Sequence, residues 1–347
     1  MEGKIYLTDN PPWFSELVPA ENGKFYVVYP PMPAILAMPL VLFFGKEFQQ
    51  QILAHLVGAS IVVTSFSLAK KFTNKKGAVF WFVSLAAIGT IIWFEASVGS
   101  VWYLGQITAV LFMLLAINES LGQKRIFLIG LFIGAAYLSR VHTILSLPFF
   151  VYLNKEKIVI KPKKLLLFGL GISIFIIFNA YYNLARWGVP WDRGYFLIPG
   201  LWDEPWFSKG LLHISYIPRH LEILFFKLPK FIDRFPYIIP SWHGLSIILT
   251  TPAFFFALKN NLKENDIKLA WFAILLIFLV IALRGGTGWT QFGYRYAVDF
   301  YPFLMYLTVK RVSKTGIAKV HWFLLTIGVL VNFWGVIWIN KFGWVDF

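Results

Sequence analysis

The feature that most constrains this chain is a repeated alternation of long apolar runs with short basic clusters. Apolar runs cover Phe48–Ala69, Gly77–Phe94, Leu104–Asn118, Leu165–Ala185, Ser241–Leu258, Leu269–Leu283, Val298–Val309 and Val320–Asn340. Five basic linkers separate them: Lys70–Lys76, Gly122–Arg125, Lys155–Lys164, Lys259–Lys268 and Lys310–Lys319. A soluble core of 347 residues cannot hide a composition that is 58% hydrophobic and 14% charged, because soluble domains carry about 25% charged residues. The pattern predicts an all-α polytopic membrane protein of about ten passes, with juxtamembrane helices and loops on its outer face. Several runs are shorter than the roughly 20 residues a straight span needs, which predicts tilted helices or aqueous vestibules.

The net charge of +15 would suggest a nucleic-acid partner in a soluble protein. Here 18 of the 32 Lys and Arg sit in the five linkers, so nucleic acid is excluded and the positive-inside rule makes the linkers cytoplasmic. The apolar stretch Ile126–Asn154 lies between two such linkers. It therefore reads as two short helices breaking near Ser139-Arg140, with Arg140 at the outer apex. An ionisable residue there either lines a polar cavity or snorkels to headgroups.

The chain reads as a single membrane domain over residues 1–347. Residues 1–47 form an outer loop and juxtamembrane helix, and 48–185 the N-terminal spans. A long outer loop covers 186–240, and the C-terminal spans cover 241–347. Pro33–Phe44 is too short to span and suits an interfacial helix. The polar N-terminal segment is outside by the charge pattern. That implies either a preceding span or a reverse-anchor role for Phe48–Ala69. Cysteine is absent, which excludes disulfides, thiolate metal sites and cysteine nucleophiles. The six histidines form no close metal-binding pair, so a histidine zinc site is not expected.

The residues with chemical potential fall on the outer side. Glu95, in Trp93-Phe94-Glu95-Ala96-Ser97, is a general base or metal ligand, or simply a helix-end carboxylate facing water. The run from Arg284-Gly285-Gly286-Thr287-Gly288 to Gln291-Phe292-Gly293-Tyr294-Arg295-Tyr296-Ala297-Val298-Asp299 combines glycines, two arginines and an acid. Glycines admit an anion to backbone N–H groups and arginines grip phosphate bidentately. Arg295 and Asp299 are also spaced to pair on one helix face. Trp191, Asp192 and Asp203, in a loop rich in Trp and Tyr, read equally as sugar recognition or as an interfacial aromatic belt.

In order along the chain, several loose motifs resemble one known group. They are Gly23-Lys24-Phe25-Tyr26-Val27-Val28-Tyr29-Pro30-Pro31-Met32-Pro33, Trp93 to Gln106, and Gly134 to Pro148 with Leu138-Ser139-Arg140. Arg186-Trp187-Gly188-Val189-Pro190-Trp191-Asp192-Arg193-Gly194-Tyr195 and Gln291 to Asp299 follow. Together they resemble the GT-C superfamily of polytopic glycosyltransferases, in its protein-mannosyltransferase-like and aminoarabinose-transferase-like branch of family 39 type. The resemblance implies a plasma (cytoplasmic) membrane enzyme that takes a sugar from a polyprenyl-phosphate donor. The acceptor would be a glycan, lipid or protein on the extracytoplasmic face, with membrane lipid as surroundings. It implies a catalytic acid in the first outer loop, often with a divalent metal, Mg or Mn.

Met1 falls within that loop, so the resemblance implies a first transmembrane helix and acidic motif upstream. Among the residues present, Asp9 or Glu95 stands in as the catalytic acid, with Glu16 and Glu21 in the same loop. Arg295, Arg284 and Arg140 are the donor-phosphate candidates. Tyr29 looks like the family's juxtamembrane helix start, and Trp191, Asp192 and Asp203 belong to the sugar or acceptor loop. A non-catalytic lipid or glycan flippase or transporter, or an inactive relative, is the alternative.

The orientation is testable because the chain lacks cysteine. In intact cells, an impermeant maleimide is expected to label Trp202→Cys, and Lys161→Cys only after permeabilisation. The reverse pattern would invert the topology.

Overall fold

The computed structural model describes residues 4–11, 14, 16–158, 161–288 and 291–342. It is mostly helical, at 71%. The chain opens on a hairpin of β1 (Leu17–Ala20) and β2 (Lys24–Val27), with Leu17 opposite Val27. The tip turns through Asn22 and Gly23, both at positive φ. Then come α1 (Met32–Phe44), α2 (Gln50–Phe72), α3 (Lys76–Ile88), α4 (Ile92–Val98), α5 (Val101–Leu121) and α6 (Ile126–Ser139). Two short helices, α7 (Leu147–Leu153) and α8 (Lys155–Ile158), lead to the long α9 (Pro162–Trp187). The second half holds α10 (Gly194–Leu197), α11 (Ile217–Phe226) and a two-stranded pair of β3 (Lys230–Phe231) and β4 (Ile238–Ile239). It continues with α12 (Ile247–Thr250), α13 (Phe255–Leu258), α14 (Asn265–Ala282), α15 (Tyr301–Thr315) and α16 (Lys319–Phe342).

Five described helices, α2, α5, α9, α14 and α16, are long and apolar enough to cross a membrane. A sixth candidate is α3 with α4, bent by 45° at Gly89–Ile91. The helix ends at Gly89, where a Cβ would lie 2.8 Å from Leu325. The side chain of Thr90 then accepts from the Ile92 N–H (3.3 Å) and restarts it.

Two apolar runs differ from expectation. Ser241–Leu258 is not one span: it breaks into α12, a 3-10 turn at Pro252–Phe254, and α13. Pro252 lacks the N–H that a continuous helix would need. Val298–Val309 begins in a 3-10 turn, Arg295–Phe300, before α15. The break in Ile126–Asn154 falls at Arg140, whose backbone is extended between α6 and the 3-10 turn Val141–Ser146.

The middle of the bundle is α5. Of its most apolar stretch, 78% is buried inside the protein, against 17% for α9. An apolar helix left that exposed is compatible with a membrane span. The basic linkers gather at one end of the bundle. The Lys124 ammonium donates to the Leu153 carbonyl (3.2 Å) and Lys157 to that of Gln123 (3.0 Å). Lys310 bridges Glu264 (2.8 Å) and Asp266, and Lys314 reaches Glu264 (2.7 Å). The N-terminal end of α5 carries the opposite face, about 30 Å away at ~1.5 Å per residue.

Close packing of α6 on α9 depends on glycines. A Cβ on Gly130 would lie 2.4 Å from the Phe168 carbonyl oxygen, whereas one on Gly169 meets nothing within 4 Å. Small residues let helix backbones approach where no water-driven force holds them together. Gly130→Ala is therefore expected to cost about 1–3 kcal/mol. In detergent its thermal midpoint should drop while that of Gly169→Ala stays at the wild-type value; equal midpoints would contradict this packing.

Candidate functional site

At the end opposite the basic linkers, a cavity of about 200 Å³ opens between the N-terminal hairpin, the start of α5 and the loops after α9 and α14. Glu16, Trp102, Tyr195, Glu204, Arg284 and Arg295 supply its polar and aromatic wall. Gly286, Gly288 and the Ile198–Leu201 turn complete much of the rest.

Arg295 is placed by its backbone. Its N–H donates to the Gln291 side-chain oxygen (3.2 Å), and its carbonyl accepts from the Gln106 amide (2.8 Å). Gln291 is itself held by donating to the carbonyls of His243 (2.7 Å) and Thr287 (2.9 Å). Gly288, at φ +100°, leaves the room: a Cβ there would lie 2.7 Å from Gln291 Oε1 and 3.0 Å from Arg295 Nε. The guanidinium sits among aromatic rings, 5.7 Å from Trp102, 5.6 Å from Tyr103 and 5.2 Å from Tyr296. Arg284 lies 4.4 Å from the Tyr195 ring and 5.9 Å from that of Tyr296.

Among the described residues neither arginine has a carboxylate salt bridge, and the Nε of each is buried without a hydrogen-bond partner. Aromatic faces attract a cation but do not neutralise it. Burial works against charge on Arg284, yet Tyr296 and Tyr195 beside it hold its pKa above the ordinary arginine value. For Tyr296 the burial effect is outweighed by Arg284, Arg295 and Arg140, and its phenol pKa falls below the ordinary value.

Arg284 also has a rear support. His220 Nε2 donates to the Arg284 carbonyl (2.8 Å), so its Nδ1 accepts from the Tyr294 hydroxyl (2.5 Å). Both ring nitrogens are then satisfied in the neutral form. Burial pulls the His220 pKa down to about 4, which keeps that tautomer near neutral pH.

Two carboxylates face these cations. Trp102 Nε1 donates to Glu16 (2.8 Å), and Trp206 Nε1 to Glu204 (2.6 Å). Burial raises the Glu16 pKa against the opposing pull of Trp102, Arg295 and Arg284, and Glu204 adds to the rise. Magnesium commonly takes one or two protein carboxylates and completes its shell with water and substrate phosphate. Glu16 and Glu204 line the same cavity, while no group of three or more His, Asp or Glu able to hold a metal converges among the described residues.

The structure gathers some of the predicted residues here and disperses others. Arg284 and Arg295 line the cavity. Arg140 stands behind it, committed to Asp299 through Nε (3.0 Å) and Nη2 (2.7 Å) to Oδ2 and Nε to Oδ1 (3.1 Å). His142 Nε2 donates to the same carboxylate (2.8 Å). The expected Arg295–Asp299 pairing is thus replaced: the 3-10 geometry of Arg295–Phe300 separates the two side chains that an α-helix would have aligned. Glu95 neither faces water nor lines the cavity. It is fully buried on α4, with both oxygens lacking a partner.

Asp9 is exposed and outside the lining. Tyr29 is buried beneath the hairpin, packed on Phe14 and Trp102. Trp191 is 62% exposed, Asp192 closes a turn by accepting from the Gly194 N–H (2.9 Å), and Asp203 is exposed. Trp289 and Thr290 of the glycine-arginine run lie outside the described residues. The glycines serve packing more than anion contact. The Gly285 N–H donates to the Leu211 carbonyl (2.9 Å), and a Cβ there would strike Phe207 at 2.5 Å.

Glu204, His220 and Glu16 are candidate functional-site residues that the sequence does not single out by motif. The tryptophan two residues beyond Glu204 was a usable signal for a held carboxylate. Nothing local marked Glu16, because its partner Trp102 is distant in sequence. No family model, curated protein or solved structure matches this chain.

The Arg140–Asp299 pair generates a discriminating test. Removing one partner of a buried ion pair costs about 3–5 kcal/mol, since the other charge is left uncompensated. Alanine cycles read by thermal or denaturant unfolding in detergent should give strong coupling between Arg140 and Asp299. Coupling between Arg295 and Asp299 should stay within about 0.5 kcal/mol. Equal couplings in the two cycles would refute the assigned pairing.

Proposed function

We propose that this chain is a multi-pass membrane glycosyltransferase of GT-C type. In this reading it moves a sugar from a polyprenyl-phosphate donor to a hydroxyl-bearing acceptor at the extracytoplasmic face. The observation that carries the reading is the pair Arg284 and Arg295, each with a buried Nε lacking a partner, in an aromatic cavity with no carboxylate salt bridge to either among the described residues. Uncompensated buried cations are costly, and an anionic ligand offsets that cost. Supporting it, the basic linkers lie at the far end of the bundle, which by the positive-inside rule makes the cavity face extracytoplasmic.

The chemistry follows from charge flow. The bond between the anomeric carbon and the donor phosphate oxygen breaks, and the electron pair leaves on the phosphate. Arg284 and Arg295 hold that growing charge, which is where preorganised cations lower a barrier most. The acceptor hydroxyl forms the new bond to the anomeric carbon and gives its proton to Glu16. Burial raises the basicity of that carboxylate, as a general base requires. Trp102 fixes its orientation, and Tyr195 and Trp102 offer ring faces to the sugar. A Mg²⁺ or Mn²⁺ ion, if used, would be held by Glu16 and Glu204 and would supply further neutralisation of the donor phosphate.

Donor turnover and polyprenyl-phosphate binding in detergent test this together. A charge-assisted contact is worth about 1.5–3 kcal/mol, so Arg295→Ala should lose about 10- to 100-fold in kcat/KM and weaken donor binding. Arg295→Lys should recover part of it, lacking the bidentate fork. The carboxylate is the working form of Glu16, so kcat/KM should fall as pH drops through a pKa above the ordinary glutamate range. Glu16→Gln should abolish that limb along with most activity. Wild-type donor affinity in Arg295→Ala would remove the phosphate site from this reading.

A further inference from the structure

A second cavity, about 370 Å³, lies among the basic linkers at the end of the bundle remote from Arg284 and Arg295. Lys71, near the end of α2, and Arg125, at the start of α6, mark its mouth. Leu115 and Phe132 line it about two helical turns further in. The cavity is therefore charged where the linkers emerge and apolar toward the middle of the bundle.

Three details suit it to a singly charged headgroup. Among the described residues Lys71 makes no salt bridge, though its charge acts on Glu119, and its ammonium lies against Gly122, where a Cβ would come within 2.7 Å of it. Arg125 commits Nε (3.0 Å) and Nη2 (2.8 Å) to Glu119, which leaves Nη1 uncommitted on a side chain that is 59% exposed. Glu119 also lines the cavity. Its negative charge disfavours a free dianion more than a phosphodiester. Basic pockets between spans on the cytoplasmic side are where anionic headgroups bind.

We propose that this cavity holds one anionic phospholipid, with its phosphodiester against Lys71 and Arg125 and an acyl chain along Leu115 and Phe132. This rests on the membrane reading above and not on the transferase chemistry.

The test is native mass spectrometry of the full chain in detergent, titrated with dioleoyl-phosphatidylglycerol or dioleoyl-phosphatidylcholine. Phosphatidylglycerol should bind and phosphatidylcholine should not. One basic residue at a membrane surface is worth about fivefold in affinity, so Lys71→Gln should weaken phosphatidylglycerol by that factor. Its lipid-free thermal midpoint should change little, because Lys71 is exposed and acts on Glu119 only at longer range than a salt bridge. Gly122→Ala should also weaken binding by displacing the ammonium. Equal affinity for the two lipids, or wild-type affinity in Lys71→Gln, would overturn the proposal. So would displacement of phosphatidylglycerol by millimolar inorganic phosphate, which would assign the cavity to free phosphate. No donor or turnover enters the measurement, so a failed transferase assay leaves its result intact.

Discussion

The Arg140–Asp299 contact is the interaction on which the cavity end of this molecule depends. It joins the broken end of α6 to the 3-10 turn ahead of α15, two segments far apart in the chain. Neither could be a continuous helix and still make it. Arg140 reaches Asp299 because its own backbone is extended, and Asp299 points away from Arg295 because a 3-10 turn rotates it. Buried ion pairs are poor sources of net stability, but breaking one is expensive. This pair therefore acts mainly by penalising every other arrangement of these two segments, and His142 adds a second donor to the same carboxylate.

That arrangement sets the electrostatics of the cavity. With Asp299 taken by Arg140, Arg295 has no salt bridge among the described residues, and Glu16 acts on it across the cavity. Tyr296, between them in the chain, faces Arg140, Arg284 and Arg295 at 5.6, 5.9 and 5.2 Å. Arg284 and Arg295 are positioned by backbone clamps and rings rather than by salt bridges among the described residues. Gln106 and Gln291 hold Arg295 through its peptide groups, and His220 holds Arg284 through its carbonyl. A cation fixed by its backbone keeps its side chain's hydrogen-bonding capacity for something else.

Much of the helical frame was legible because its signal is local. Apolar runs such as Phe48–Ala69 and Leu165–Ala185 correspond to α2 and α9, and the break at Arg140 followed from the two basic linkers flanking it. The run Ser241–Leu258 misled because apolarity alone does not tell a span from a broken segment packed inside protein; Pro252 was the available warning. For the site, Arg284 and Arg295 could be selected by residue type and nearby glycines. The partner of Asp299 could not, since the helical spacing that favoured Arg295 assumed an α-helix where a 3-10 turn stands. Glu16 was invisible for a different reason: its environment is made by Trp102 and two arginines that only the folded chain brings together.

The two ends of the bundle treat charge in opposite ways, and the contrast bears on how the chain works. At the basic end, lysines and arginines are paired or exposed: Lys310 and Lys314 on Glu264, Arg125 on Glu119. Charges there meet water and acids, so they cost little to keep and hold the helix ends in register. At the cavity end, Arg284 and Arg295 are set among rings, with Glu16 and Glu204 in the same cavity but no salt bridge to either arginine among the described residues. In a low-dielectric site an unpaired cation exerts a far stronger field on an incoming anion than the same cation in water. The cations at the cavity end are thus held by backbone and rings rather than by salt bridges, so their field is directed into the cavity, where Glu16 and Glu204 also stand; the buried α5 runs from that end to the basic one.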